Sequence, residues 1–162
     1  MAHRALNVLF VCDRNSARSI MAEALLNRFS DGRFRAFSAG LEPDNELHPL
    51  ALEMLKGSGI SVANLKPKSI REFMSASAPK MDFVIYMGKE NDSVLKGLPG
   101  NPLRARWGIS DPIVGEGDAV APKFAFRRSF RELENRIRLF VLVRHHREAE
   151  RRVEVPRQAQ NA

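Results

Sequence analysis

Near its N-terminus the chain reads Ala5-Leu6-Asn7-Val8-Leu9-Phe10-Val11-Cys12-Asp13-Arg14-Asn15-Ser16-Ala17-Arg18-Ser19. The apolar run that ends at Val11 predicts a buried strand, and a helix is expected to begin near Ser19. A short polar loop between them turns backbone N–H groups and the positive end of the helix toward one point. The stretch therefore predicts an oxyanion-binding loop. Its residues are Asp13, Arg14, Asn15, Ser16, Ala17, Arg18 and Ser19.

Cys12 and Arg18 are the residues of this stretch that carry chemistry. A cysteine attacks as the thiolate, a form that a helix N-terminus and a nearby cation favour. The planar guanidinium of Arg18 is suited to bind two oxygens of a phosphate-like group while the sulfur attacks in line. A lone cysteine at a strand end is by itself more often a small buried hydrophobe. The neighbouring Asn15 and Ser16, with an arginine in the same loop, favour the functional interpretation here.

A general acid is predicted at the end of a second strand. Asp111 is followed by Pro112, which holds the preceding residue in extended backbone. The carboxyl group of Asp111 would protonate the leaving oxygen and later activate water. An ordinary Asp-Pro turn explains the same two residues equally well, so both interpretations stay open at this point.

Strand and helix patterns alternate along the rest of the chain. Further strands are predicted at 34–40, 82–87 and 104–109, helices at 19–29, 49–57 and 122–143, and one helical turn at 70–74. This alternation predicts an α/β fold with a doubly wound parallel sheet. Ligands of such sheets bind beyond the carboxyl ends of the strands, where Cys12 and Asp111 are both expected.

Length and composition limit the class of protein. The chain has 162 residues, a net charge of +7 and a single cysteine, so we expect one domain, no intramolecular disulfide and a reducing, cytoplasmic location. No zinc-ligand spacing or nucleotide-binding motif is present, so no metal or cofactor is predicted. No apolar run approaches the ~20 residues of a membrane span. The positive charge suits an anionic substrate or weak nucleic-acid binding, but one Trp and one Tyr argue against a dedicated nucleic-acid surface.

The stretch Val11-Cys12-Asp13-Arg14-Asn15-Ser16-Ala17-Arg18-Ser19-Ile20-Met21-Ala22-Glu23-Ala24 resembles the active-site signature of the low-molecular-weight protein tyrosine phosphatases. That family includes the thioredoxin-type arsenate reductases. Three more stretches stand in family order: Phe37-Ser38-Ala39-Gly40, Asp82-Phe83-Val84 and Trp107-Gly108-Ile109-Ser110-Asp111-Pro112. Residues 126–140 resemble the arsenate reductase branch. The likeness covers roughly residues 6–143, so we expect one phosphatase-like domain at 1–143 and a basic, polar, disordered tail at 144–162.

The resemblance implies a four-stranded parallel sheet flanked by helices, with the anion-binding loop after the first strand. The implied roles are nucleophile for Cys12, oxyanion ligand for Arg18, loop organisers for Asn15 and Ser19, and general acid for Asp111. Members of the family can bind simple inorganic ions near the loop. The candidates here to hold a monovalent cation are Asn15, Glu23 and Ser38.

The chain also departs from the family pattern. Arg14 stands where glycine is common, Ala17 stands where phosphatases often have a second cysteine, and Asp13 adds a negative charge beside the thiol. With one cysteine, an arsenate reductase mechanism that passes oxidation through several protein thiols is excluded. Reduction then requires an external thiol, such as glutathione or mycothiol, or a thiol-redox protein, to resolve an adduct on Cys12.

Three functional hypotheses follow from these residues. The first is hydrolysis of phosphomonoesters, such as aryl phosphates, through a cysteinyl-phosphate intermediate. The second is reduction of arsenate with an external thiol. The third, from another class, is a non-catalytic anion-binding protein.

Overall fold

Four parallel strands form the central sheet of the computed structural model, which describes residues 4–88, 92–113 and 122–158. The strands are β1 (Leu6–Cys12), β2 (Phe34–Gly40), β3 (Phe83–Tyr86) and β4 (Leu103–Arg106), and they are arranged in the order β2-β1-β3-β4. Chain order reverses between β1 and β3, and ligands of doubly wound sheets bind beyond the strand ends at such a switch point. Cys12, the last residue of β1, lies there. The predicted fold class is confirmed.

Helices cover both faces of this sheet. They are α1 (Arg18–Phe29), α2 (Pro49–Gly57), α3 (Asp92–Leu95) and α4 (Pro122–Gln158), with a 3-10 turn at Ile70–Phe73. Because side chains alternate along a strand, Val8 and Phe10 join the larger hydrophobic core under α1, α2 and α4, whereas Leu9 and Val11 join a second cluster under the 3-10 turn and α3. The residue Cys12 shares the face of Phe10, so its sulfur lies on the side of α1.

Local signals explain where α2 begins and ends. Pro49 stands in its first turn, and the Nδ1 atom of His48 accepts a hydrogen bond from the N–H of Leu50 at 3.2 Å. An N–H in the first turn has no acceptor within the helix, so proline, which lacks an N–H, loses no hydrogen bond there. The helix ends at Gly57, as its sequence pattern predicts.

The last strand is shorter than the predicted segment 104–109. It begins at Leu103 and ends at Arg106, and all of its residues are exposed at the edge of the sheet. Pairing stops because β3 ends at Tyr86, whose carbonyl accepts the N–H of Trp107 at 2.9 Å. The indole of Trp107 then turns inward and packs against Phe10, with ring centroids 5.8 Å apart.

The final helix, α4, starts at Pro122 as predicted but does not end at Val143. It continues to Gln158, so the expectation of an unstructured tail is wrong for residues 144–158. Residues 145–150 are exposed, as their lack of an apolar face predicts. Arginine, glutamate and alanine extend an existing helix at a small free-energy cost, because the unfavourable nucleation step has already occurred in the part of α4 that packs on the core. Residues 159–162 lie outside the described part of the chain.

No helix among the described residues is long and apolar enough to cross a membrane.

Candidate active site

The loop between β1 and α1 is shaped by hydrogen bonds to its carbonyl groups. The segment after β2 donates them: Leu41 to Cys12 at 3.2 Å, and Glu42 to Asp13, Asp44 to Arg14 and His48 to Ser16, each at 2.9 Å. With these carbonyls turned outward, the loop N–H groups face the opposite way. Those of Asp13, Arg14, Ser16 and Ala17 have no hydrogen-bond acceptor in the described part of the chain. The loop therefore forms a concave set of N–H donors, an arrangement that binds anions.

Gly40 lets this loop approach β2 closely. A Cβ at this position would lie 3.0 Å from the backbone N of Asn15 and from the carbonyl carbon of Arg14. Only a residue without a side chain leaves the loop where it is. Gly40 therefore sets the position of the loop relative to the sheet.

Asn15 organises the inside of the loop. Its backbone is in the left-handed region, with φ of 51°, which asparagine tolerates better than most residues. Its N–H donates to the Sγ atom of Cys12 at 3.3 Å, and its Nδ2 donates to the Oγ atom of Ser19 at 2.7 Å. Its Oδ1 accepts the backbone N–H of Lys68 at 2.8 Å. The backbone N–H and both polar atoms of the side chain of Asn15 are thus hydrogen-bonded, and the residue has no exposed surface.

The thiol of Cys12 is surrounded by donors. Its Sγ lies 2.9 Å from the Oγ atom of Ser19. Because the Ser19 oxygen already accepts from Asn15, its own hydrogen is available for the sulfur. The sulfur therefore receives two donors at the N-terminal end of α1, an arrangement that suits a thiolate. The residue is 3 % exposed.

Arg18 connects the loop after β1 to the segments that follow β3 and β4. Its Nη1 donates to the carbonyl of Met87 at 2.5 Å and to that of Ile109 at 3.2 Å, and its Nη2 donates to Oδ2 of Asp111 at 2.9 Å. The other carboxylate oxygen of Asp111 accepts the N–H of Ile113 at 3.0 Å, which fixes the side chain in a turn. Arg18 and Asp111, predicted from separate parts of the sequence, are thereby joined as an ion pair.

Comparison with known proteins identifies the family of the chain. The sequence matches the low molecular weight phosphotyrosine protein phosphatase family over residues 7–153. The chain belongs to this family.

Proteins similar to this chain carry both expected activities in their names. An arsenate reductase from Halalkalibacterium halodurans is 29% identical over 133 residues, which cover 82% of this chain and 93% of the relative. A solved arsenate reductase in its phosphate-binding state is 26% identical, with a TM-score of 0.68, and the match covers 85% of this chain and 97% of that one. A tyrosine phosphatase from Erwinia amylovora has a TM-score of 0.67 at 21% identity, over 88% and 95% of the two chains, which shows a shared fold.

Asp13 and Arg14, the unusual residues of this phosphatase-family loop, lie at its outer side. Arg14 is exposed, and Asp13 is half-buried. Oδ1 of Asp13 would lie 2.7 Å from a Cβ placed on Gly88, and the hydroxyl of Tyr86 would lie 2.9 Å from it. The Asp13 carboxylate is therefore at the end of β3. The pKa of Tyr86 is raised above its ordinary value. Burial is the larger cause, and the negative charge of Asp13 is the second.

Glu23, Ser38 and Lys68 form a polar cluster beneath the loop. The hydroxyl of Ser38 donates to Oε2 of Glu23 at 2.5 Å. The Nζ atom of Lys68 lies 3.5 Å from the same carboxylate oxygen and 3.4 Å from Oγ of Ser38, and it donates to the carbonyl of Lys66 at 2.9 Å. Burial raises the pKa of Glu23 above its ordinary value, although Lys68 and the Ser38 hydroxyl oppose this rise. The ammonium thus lies beside Glu23 and Ser38, two of the three residues named as candidates to hold a monovalent cation.

Residues that the sequence interpretation missed are Lys68 and Tyr86. Lys68 stands in a loop without periodicity, so nothing in its neighbourhood along the chain marks it. Tyr86 is the last residue of an apolar strand, and only its hydroxyl, buried without a partner in the described chain, distinguishes it from a core residue. No group of three metal-ligating side chains occurs among the described residues.

Proposed function

We propose that this chain hydrolyses phosphomonoesters through a cysteinyl-phosphate intermediate on Cys12. The observation that carries the proposal is the sulfur itself, held by the Asn15 N–H at 3.3 Å and the Ser19 hydroxyl at 2.9 Å inside a loop of inward N–H groups. The two donors stabilise negative charge on the sulfur, and the inward N–H groups of the loop stabilise negative charge on a phosphoryl group placed above it. Family membership supports the same chemistry.

In the first step the thiolate of Cys12 attacks phosphorus, and the bond between phosphorus and the ester oxygen breaks. The guanidinium of Arg18 binds two of the phosphoryl oxygens that do not leave. Asp111, in its protonated form, gives its proton to the departing oxygen, so the alcohol or phenol leaves neutral. The contact between Arg18 and Asp111 supports the proximity that this role needs, because a group that binds the phosphoryl oxygens brings Asp111 close to the leaving oxygen.

In the second step the Asp111 carboxylate takes a proton from water, whose oxygen attacks phosphorus. The sulfur–phosphorus bond breaks, inorganic phosphate leaves, and the thiolate is restored. Every group needed is a side chain or N–H of this chain, and no redox partner takes part.

Turnover of aryl phosphates with different leaving groups tests this proposal. Cys12→Ser should abolish turnover without loss of fold. Asp111→Asn should slow phenyl phosphate by about 10²- to 10⁴-fold and p-nitrophenyl phosphate much less, because nitrophenolate leaves without a proton. Equal losses for the two substrates would remove Asp111 from the role of acid.

A second candidate function is reduction of arsenate, which the names of the relatives favour. In that reaction the Cys12 thiolate displaces hydroxide from arsenate and forms a sulfur–arsenic(V) bond. An external thiol then attacks the Cys12 sulfur, the electron pair of the sulfur–arsenic bond goes to arsenic, and arsenite leaves. The resulting mixed disulfide on Cys12 is reduced by a second external thiol, which restores the protein thiol and releases the oxidised thiol.

The cysteine count requires the external thiol, since the sequence contains a single cysteine and an intramolecular disulfide is impossible. Arsenite production that depends on glutathione, on mycothiol or on a thiol-redox protein would establish this activity. Phosphatase turnover, in contrast, should be the same with and without thiol. Phosphate binding with neither activity would identify the third hypothesis, a non-catalytic anion-binding protein.

A further inference from the structure

We propose that the Lys68 ammonium is a tethered cation that positions the anion-binding loop, so that this protein requires no free monovalent cation beneath it. Lys68 is thus a positioning residue, which acts on Cys12 through Asn15 and Ser19. The proposal rests on the proposed function, because it concerns the same site, but the alkylation of Cys12 measures its effect without turnover.

The ammonium is enclosed by oxygen atoms. It lies 2.9 Å from the carbonyl of Lys66, 3.4 Å from Oγ of Ser38 and 3.5 Å from Oε2 of Glu23. The side chains of Lys68 and Glu23 are each 12% exposed, and Ser38 has no exposed surface. A carbonyl, a hydroxyl and a carboxylate together are the oxygen ligands of a hard cation, and here the ammonium of the chain fills their centre. A free monovalent cation therefore has no room among these oxygens while the ammonium is present.

The cluster joins the three elements that hold the loop. Glu23 belongs to α1, which begins in the loop, and Ser38 belongs to β2, which the loop packs against. Lys68 belongs to neither, so its ammonium ties a third segment to both. Breaking a buried pair by removing one partner leaves an uncompensated charge, which favours keeping the three together.

The backbone of Lys68 carries this restraint to the thiol. Its N–H donates to Oδ1 of Asn15 at 2.8 Å, and its carbonyl accepts the N–H of Gly40 at 2.8 Å. Asn15 in turn donates to Ser19 at 2.7 Å, and Ser19 contacts the sulfur at 2.9 Å. The ammonium therefore fixes the same residue whose N–H orients the Asn15 carboxamide. If the ammonium is lost, the segment is free to shift and the donors to Cys12 lose their alignment.

The test uses Lys68→Met, with Lys66→Met as the matched control. The side chain of Lys66 is exposed, and its substitution leaves the carbonyl that contacts the ammonium in place. Each protein is assayed in choline, sodium, potassium and methylammonium chloride at one ionic strength. Two quantities are measured: kcat and KM for p-nitrophenyl phosphate, and the rate at which iodoacetamide alkylates Cys12, with and without inorganic phosphate. Because Cys12 is the single cysteine of the sequence, alkylation reports on it alone.

The unsubstituted protein and Lys66→Met should behave alike in all four salts. Lys68→Met in choline chloride should alkylate more slowly, lose phosphate protection and turn over roughly 10- to 100-fold more slowly, as expected for a misplaced reacting group. Potassium should restore most of each loss, since it can enter the space that the ammonium nitrogen leaves, whereas methylammonium is too large for that space and should restore less. Restoration by a cation distinguishes this role from a general contribution to folding.

Three results would overturn the proposal: activation of the unsubstituted protein by potassium over choline, a Lys68→Met variant that matches the unsubstituted protein, or a loss that no cation restores. If Lys68→Met does not fold, the double variant Glu23→Gln/Lys68→Met removes both charges at once. It should fold and stay impaired in every salt, because the neutral site holds no cation; full activity of this variant would also refute the proposal.

Absence of phosphatase turnover in the unsubstituted protein would count against the proposed function. The cation effect on Cys12 alkylation and on phosphate protection would still be measured, so the two failures are distinguishable.

Discussion

Replacing Asn15 by alanine should weaken the fold and the anion-binding loop together. Asn15 makes two side-chain hydrogen bonds, a buried one to Ser19 at 2.7 Å and a half-buried one from the N–H of Lys68 at 2.8 Å. Its φ of 51° also imposes a backbone conformation that alanine resists. Asn15→Gly is the matched variant, because it removes the same two hydrogen bonds but adopts this conformation without strain.

The expected loss follows from these contacts. Each hydrogen bond that leaves a buried partner unsatisfied costs about 1–3 kcal/mol. The left-handed backbone adds about 1 kcal/mol for alanine and nothing for glycine. We therefore expect the free energy of unfolding to fall by about 3–7 kcal/mol for Asn15→Ala, and by about 1 kcal/mol less for Asn15→Gly.

Urea unfolding, followed by the fluorescence of the single tryptophan Trp107, measures both values. The same samples serve for alkylation of Cys12, which should slow in both variants because Ser19 loses its donor. The reasoning is refuted if both variants lie within about 1 kcal/mol of the unsubstituted protein, a difference too small for the loss of these two hydrogen bonds. Alanine and glycine variants of equal stability would refute the backbone part alone.

Three further perturbations test other parts of the structure. Gly40→Ala should weaken phosphate affinity and slow turnover, because its Cβ would meet the backbone N of Asn15 at 3.0 Å and push the loop away. Asp82→Asn should lower stability at pH 7: the hydrogen bond from Arg4 holds the pKa of Asp82 below its ordinary 3.8, so this stabilisation is present above that value and disappears as the pH falls through the lowered pKa. Removal of residues 145–162 should change the free energy of unfolding by no more than about 0.5 kcal/mol and leave turnover intact, since the described side chains of this segment are exposed.

Each of these has a direct control. Gly57→Ala, at the end of α2, has nothing within 4 Å of its new Cβ and should leave phosphate affinity unchanged. For Asp82→Asn, a stability difference from the unsubstituted protein that persists undiminished at low pH would contradict the ion-pair explanation. A shortened chain that fails to fold would show that α4 beyond Arg144 supports the domain.

Local chemistry explains why much of the fold was predictable. The run that ends at Cys12, the Gly40 strand end and the proline that starts α2 each carry their signal within a few residues. Apolar residues at intervals of three and four marked the buried face of α4 in the same way. The end of α4 was not predictable from its apolar face, because helix continuation there depends on propensity and on a nucleus formed elsewhere.

The sequence by itself determined that a loop with a thiol and a guanidinium follows the first strand and led us to predict anion binding there, because the loop residues are contiguous and their backbone geometry is local. Only the tertiary structure decided what surrounds that loop. Lys68 reaches Asn15 from a separate segment, and Arg18 meets the carbonyls of Met87 and Ile109 from two more. Contacts between residues so far apart arise from how strands and helices pack, and no local pattern in the chain encodes which side chains that packing brings together.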